Sequence, residues 1–155
     1  MIKKTKYTVA IFGTALEDDV KALENAKELT HLLVGKSGFR VATGGQKAGT
    51  MKVITEIAHN IAKEKKDSSL EPLGYAMKKW VPMDKGDISV VSSLTEKIQK
   101  LIDGSDAYIS LAGRMGTFVE TMVTFLCLNI RKVHGFQKKP LVLLDHTGAL
   151  SKMLN

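Results

Sequence analysis

The feature that most restricts this chain is a recurring local order: a short β-branched or aromatic run, then glycine, then a stretch with helical spacing. Tyr7 to Phe12 (YTVAIF) runs into Gly13, and Phe39 to Thr43 runs into Gly44-Gly45. Ala107 to Leu111 passes through Ala112 into Gly113. Such runs read as buried strands. Further strands are expected at Leu70 to Met77 (with Gly74 inside), Ile88 to Val91 and Pro140 to Leu144. Between the strands, Ile54, Ile57, Ala58, Ile61 and Ala62 form one helical stripe within Gly49 to Lys65. Ala22, Ala26, Leu29 and Leu33 form another, ending near Gly35 and Gly38.

Two helix starts carry capping-box spacing, Thr14-Ala15-Leu16-Glu17 and Ser93-Leu94-Thr95-Glu96. The helix after Ser93 is expected to bury Leu94, Ile98, Leu101 and Ile102. Thr117 to Ile130 reads as a long apolar helix, Gly148 to Leu154 as the beginning of a last one, and Lys78 to Gly86, around Pro82, as a loop. Strands alternating with helices are joined by crossovers, so they lie parallel and are covered on both faces. The expected fold class is therefore α/β. A Rossmann-like doubly wound parallel sheet of about six strands should carry helices on both faces. With no linker, repeat or low-complexity stretch, residues 1–155 read as a single domain.

Composition narrows the function classes. At 155 residues, 44% of them hydrophobic, the chain can bury a core without metal or disulfide help. Its lone cysteine, Cys127, lies in the apolar run Met122 to Ile130 and reads as a small buried hydrophobe. One cysteine forms no internal disulfide, which suits a reducing cytoplasm. No apolar stretch is long enough for a membrane span, and the basic start Met1-Ile2-Lys3-Lys4 lacks a cleavage signature. The net charge of +7 comes mostly from dispersed lysines (Lys63, Lys65 and Lys66; Lys78 and Lys79; Lys138 and Lys139). With aromatics at 6%, stacking platforms for nucleic acid are scarce, so a solvated basic surface is the expectation and nucleic acid is not an expected partner. Such a field still attracts a small anion. His31, His59, His134 and His146 show no metal-ligand spacing, so no metal site is expected.

In open parallel sheets, ligands sit beyond the carboxyl ends of the strands. Glycine there lets backbone amides approach an anion, and the following helix points its positive end at it. Three such turns occur: Gly13-Thr14, Thr43 to Thr50, and Ala112 to Thr117. The candidate phosphate or nucleotide contacts are Gly13, Thr14, Gly44, Gly45, Gly113, Arg114, Met115, Gly116 and Thr117. G-x-G-x-x-G is absent from the first turn, and the lysine-serine/threonine ending of a P-loop is missing. NAD and FAD are disfavoured, and no cofactor is expected.

These residues bring a resemblance into view. Ser105-Asp106-Ala107, followed by Ala112-Gly113-Arg114-Met115-Gly116-Thr117-Phe118-Val119-Glu120, resembles the S-D-A strand and P-G-G-x-G-T-x-x-E signature of the LONELY GUY family, long mislabelled lysine decarboxylases. Thr43-Gly44-Gly45 with Gly49-Thr50-Met51 resembles the T-G-G-x-x-G-x-M element of a wider nucleotide-binding group that includes molybdenum-cofactor carrier proteins. The resemblance implies hydrolysis of the N-glycosidic bond of a purine nucleoside 5′-monophosphate (AMP-like), with Glu120 as the family's catalytic carboxylate. It implies a homodimer too, to which the apolar helix Phe118 to Ile130 also points. The alternative is a carrier or sensor that binds a nucleotide or pterin-type cofactor without cleaving it.

The sequence departs from the family at Ala112, where the family has proline, and at Arg114, where it has glycine. Lys97 takes the place of an arginine that works with the glutamate, and so becomes the second catalytic candidate. It keeps the charge but not the bidentate fork. Plainer readings stand beside these. Thr117-x-x-Glu120 is itself a capping box, Lys97 could be a snorkelling lysine, and Trp80 could be a loop anchor or could close over a base.

Overall fold

β1 (Thr8–Phe12) is buried along its whole length and alternates between two cores, which is what a central strand covered on both faces requires. Val9 and Ile11 pack into one core with Val41, Ala26, Ile54 and Ala58. Ala10 and Phe12 point into the other with Ala42, Ile98, Leu101 and Tyr108. Cys127 packs partly buried against this second core. The computed structural model describes residues 6–133 and 139–154. Met1 to Lys4, His134 and Lys138 lie outside the described residues.

The remaining strands are β2 (Arg40–Thr43), β3 (Leu73–Met77), β4 (Asp87–Val91), β5 (Ala107–Leu111) and β6 (Leu141–Leu144). They form one sheet in the order β4-β3-β2-β1-β5-β6, every neighbouring pair parallel. The chain builds outward from β1 to β4, then returns across β1 to place β5 on its other side, with Phe12 opposite Ser110. That reversal leaves a crevice between the carboxyl ends of β1 and β5, where such sheets hold ligands. The chain is thus a Rossmann-like α/β protein, as its strand and helix pattern predicts.

α1 (Val20–Thr30) and α2 (Gly49–Glu64) cover one face, while α3 (Leu94–Asp103) and α4 (Met115–Val133) cover the other. α5 (Ala149–Leu154) follows β6. Ser93 caps α3 as its sequence predicts, accepting from the Glu96 amide at 3.1 Å, while the Glu96 carboxylate accepts from the Ser92 amide at 2.8 Å. The other capping box does not open a helix. Thr14 makes a tight local turn, its hydroxyl accepting from Leu16 N at 3.1 Å, and α1 waits until Asp19, which accepts from Ala22 N at 2.9 Å. α1 then widens into a π-type turn over His31–Lys36. Leu94 is a second correction: it is 41% exposed, and Lys97 takes the buried position on α3 instead.

β3 and β4 are joined without a helix, by the loop 78–86. That loop folds over the turn after β2: Lys47 N donates to Val81 O and Met83 N to Gly45 O, both at 2.9 Å, and Lys47 pairs with Asp84. Gln46 and Pro82 form an isolated antiparallel bridge between the two segments.

Candidate ligand-binding site

The turns after β1, β2 and β5 meet at the crevice, but they do different work. After β1, Thr14 O accepts both the amide and the hydroxyl of Thr50, at 2.9 and 3.0 Å, so the start of α2 is closed by this turn. The contact is tight: a Cβ on Gly13 would stand 2.2 Å from Thr50 Oγ1. After β2, Gly45 N donates to Thr43 Oγ1 at 3.1 Å. Gly45 has φ +65°, and a Cβ there would lie 2.8 Å from Tyr75 N. Only glycine supplies that backbone at that spacing. Gly74 is the matching gap in β3, since its Cβ would stand 2.8 Å from Gly45 Cα. The second turn is therefore a seat for the loop 78–86, with the amides of Gly45 and Lys47 already used.

The turn after β5 is the open one. α4 begins at Met115, and its first long helical bond runs from Phe118 N to Arg114 O at 3.0 Å. The N–H groups ahead of Phe118 have no carbonyl one turn earlier to receive them, which is the usual anion-binding end of a helix. Gly113 lets Thr117 fold back, because a Cβ there would meet Thr117 Oγ1 at 2.2 Å. Gly116 has open space on its Cβ side. Arg114 stands at the rim, 72% exposed and 3.3 Å from Asp18.

At the floor lie Lys97 and Glu120, on α3 and α4. Lys97 Nζ is 2.7 Å from Glu120 Oε1, with the two side chains only 5% and 9% exposed. Glu120 lies in the second turn of α4, so it does not cap a helix that starts at Met115. Nor does Lys97 snorkel, since its head is inside. Gly44 makes the room: a Cβ there would be 2.8 Å from Lys97 Nζ and 2.7 Å from Met51 Sδ. The Lys97 ammonium also lies over the Trp80 ring, 5.1 Å from its centroid.

A cavity of about 310 Å³ connects these parts, near the lower end of small-molecule sites. Of the residues expected from sequence, Gly13, Thr14, Lys97, Arg114, Gly116, Thr117 and Glu120 line it. Gly113 lines an adjoining groove of about 430 Å³ that shares Thr14, Leu16 and Arg114. Gly44 and Gly45 sit behind the lining, and Met115 is 71% exposed away from both spaces. Sequence reasoning did not assign Gln46, Met51 or Asp18 to the site. Met51 follows the recognised Gly49-Thr50 element, but Gln46 and Asp18 offer no pattern of their own.

A larger cleft of about 1000 Å³ opens at the opposite edge of the sheet, by Thr8, Leu73 and Asp87. Its charges serve the fold. Arg40 pairs with Asp87, Lys6 with Asp67, and Asp106 accepts from the Thr8 amide. The described histidines that make side-chain contacts do so singly, His59 with Glu71 and His146 with Asp19. No helix among the described residues is long and apolar enough to cross a membrane.

No protein-family model matches the sequence, and no curated protein matches it. Solved structures do. The molybdenum cofactor binding protein of Rippkaea orientalis is similar with a TM-score of 0.69 at 21% identity, over 96% of this chain and 82% of that one. The Moco carrier protein of Chlamydomonas reinhardtii is similar with a TM-score of 0.67 at 18% identity, over 96% of this chain and 84% of that one. The likeness places this chain in the Rossmann-like fold that those proteins share.

Proposed function

We propose that this protein binds a phosphate-bearing nucleotide or pterin-type cofactor and holds it intact, as a carrier or sensor. The observation that carries this reading is the Lys97–Glu120 pair, 2.7 Å apart at the floor of the cavity. The resemblance implies an arginine beside this carboxylate, and the single ammonium at 2.7 Å keeps that charge but lacks the planar fork that would hold both carboxylate oxygens for work on a sugar. The open turn at Arg114 to Thr117 supplies the phosphate end, through the first turn of α4 and a solvent-facing guanidinium. The proteins of similar fold named above bind or carry a molybdenum cofactor, which agrees with a carrying role.

A second reading, phosphoribohydrolase activity on a nucleoside 5′-monophosphate, is favoured by one observation. Glu120 faces the same cavity as the phosphate turn instead of capping its helix. Calorimetry and chromatography separate the two. AMP should bind more tightly than adenosine, the difference should shrink in Arg114→Ala, and no adenine should appear. Equal affinity for AMP and adenosine removes the phosphate site, and adenine release above background replaces the carrier with the hydrolase.

We further infer a cytoplasmic homodimer. α4 exposes Phe125, Leu126 and Ile130 at 39%, 54% and 58%, a stripe one helix face wide that a second copy can cover symmetrically. Sedimentation giving a monomer at micromolar concentration would remove the dimer.

A further inference from the structure

Among the described residues around the 310 Å³ cavity, Trp80 is the only aromatic one. It reaches the cavity from the helix-free loop 78–86, while the phosphate turn reaches it from the far side of β1, after β5. The loop does not need the indole to stay in place. Met83 is its buried anchor at 4% exposure, and the backbone bonds of Lys47 to Val81 and of Met83 to Gly45 fasten it to the turn after β2. Trp80 itself remains 37% exposed. The Lys97 ammonium lies over one face of the ring and is itself paired with Glu120. An aromatic surface ordered in advance, on a rigid support, loses little freedom when a flat partner stacks on it.

We propose that Trp80 is the specificity-determining wall of this site: it receives the flat nitrogen heterocycle of the ligand while Arg114 to Thr117 receive its phosphate. This rests on the reading that the cavity holds a phosphate-bearing heterocyclic ligand. Of the other walls, Gly13, Thr14, Ala15 and Thr117 are small or polar, and the aliphatic Leu16 and Met51 have no flat aromatic face to stack on a heterocycle. The consequence is selectivity between two phosphates. A nucleotide gains the stacking contact, whereas a sugar phosphate of the same charge cannot.

The test compares AMP with ribose 5-phosphate on the intact protein by calorimetry, in wild type, Trp80→Phe and Trp80→Ala. Base–aromatic stacking measured by alanine substitution corresponds to a loss of roughly 5- to 150-fold in affinity. AMP should weaken by that order in Trp80→Ala and far less in Trp80→Phe, while ribose 5-phosphate binds all three alike. Trp80 is the only tryptophan in the chain, so AMP should also quench the wild-type emission, a readout that needs no variant to fold. AMP binding with unchanged emission, or with no preference over ribose 5-phosphate, overturns the role of Trp80 and leaves the phosphate site standing. Failure of both ligands to bind overturns the site itself.

Discussion

Gly44 sets the position of the Lys97 head, because a Cβ on Gly44 would stand 2.8 Å from Nζ and 3.0 Å from Cε. Both crowding atoms belong to the far end of a flexible chain, as does the Met51 sulfur on the same side. Gly44→Ala should therefore fold, with stability changed by no more than about 1 kcal/mol, the ordinary scale for this exchange where the backbone permits it. The ammonium must still move, and with it the link between Glu120 and Trp80. AMP affinity should fall about fivefold or more, roughly 1 kcal/mol, while the melting temperature hardly changes. Unaltered affinity would mean that the Lys97 position is irrelevant to the ligand.

The pair itself is expensive to break from one side. Lys97→Met leaves the Glu120 carboxylate inside with no counter-charge, a change typically worth about 3–5 kcal/mol. Replacing both partners, Lys97→Met with Glu120→Leu, removes the orphan and should recover most of that loss, since apolar substitutes for buried pairs are often neutral. Urea unfolding of the two singles and the double gives the coupling directly. A Lys97→Met protein as stable as wild type would show that water reaches the pair freely.

The contrast between the two capping boxes shows how far local sequence reached. Ser93 to Glu96 does what its spacing predicts, because every partner it needs lies within four residues. Thr14 to Glu17 has the same spacing, yet the carbonyl of Thr14 is claimed by Thr50, 36 residues on, and the helix starts later. The glycines of the second turn follow the same logic. Gly44-Gly45 matches a phosphate motif locally, while its use as a seat for the loop 78–86 depends on contacts with Val81 and Met83. The alternation of strands and helices along the chain and the glycine turn after β5 were legible because alternation and glycine placement are local signals. That Lys97 is buried was not legible in the residues themselves, since a lysine on an α-helix reads as solvated until its partner from another helix is in place; only the resemblance set it beside Glu120.

Acid should loosen the end of β6. Burial raises the Asp145 carboxyl, but hydrogen bonds from the Thr147 side chain and from the amides of Ser151, Leu150 and Thr147 outweigh it and hold the group below its usual 3.8. A carboxylate depressed by folding contributes stability that is fully present above its unfolded value, and that is lost as pH falls through the lower folded one. The contribution is thus intact at neutral pH and declines progressively below about pH 4. Asp145→Asn should be less stable than wild type at pH 7, and the gap should narrow as pH falls from 4 to 3. Two urea-midpoint curves running parallel from pH 7 to pH 3 would show that Asp145 contributes nothing to the acid response.

The sharpest test of carrying against cleaving is Glu120→Gln. The amide keeps the shape of the carboxylate and its oxygen can still accept from Lys97, so the floor of the cavity should keep its form, at a cost in stability because the buried ammonium loses its counter-charge. What disappears is the negative charge. A carrier does not need that charge for chemistry, so Glu120→Gln should bind AMP within about threefold of wild type, under 1 kcal/mol, and both should return it uncleaved. If wild type instead releases adenine, the charge is being used on the sugar. The amide should then lower the rate by roughly 10²- to 10³-fold, the usual loss for a missing electrostatic stabiliser. Lys97→Arg should in that case raise turnover, because it restores a planar, bidentate partner for the carboxylate. Adenine release at the same rate by wild type and Glu120→Gln would remove Glu120 from the chemistry and the carrier reading together.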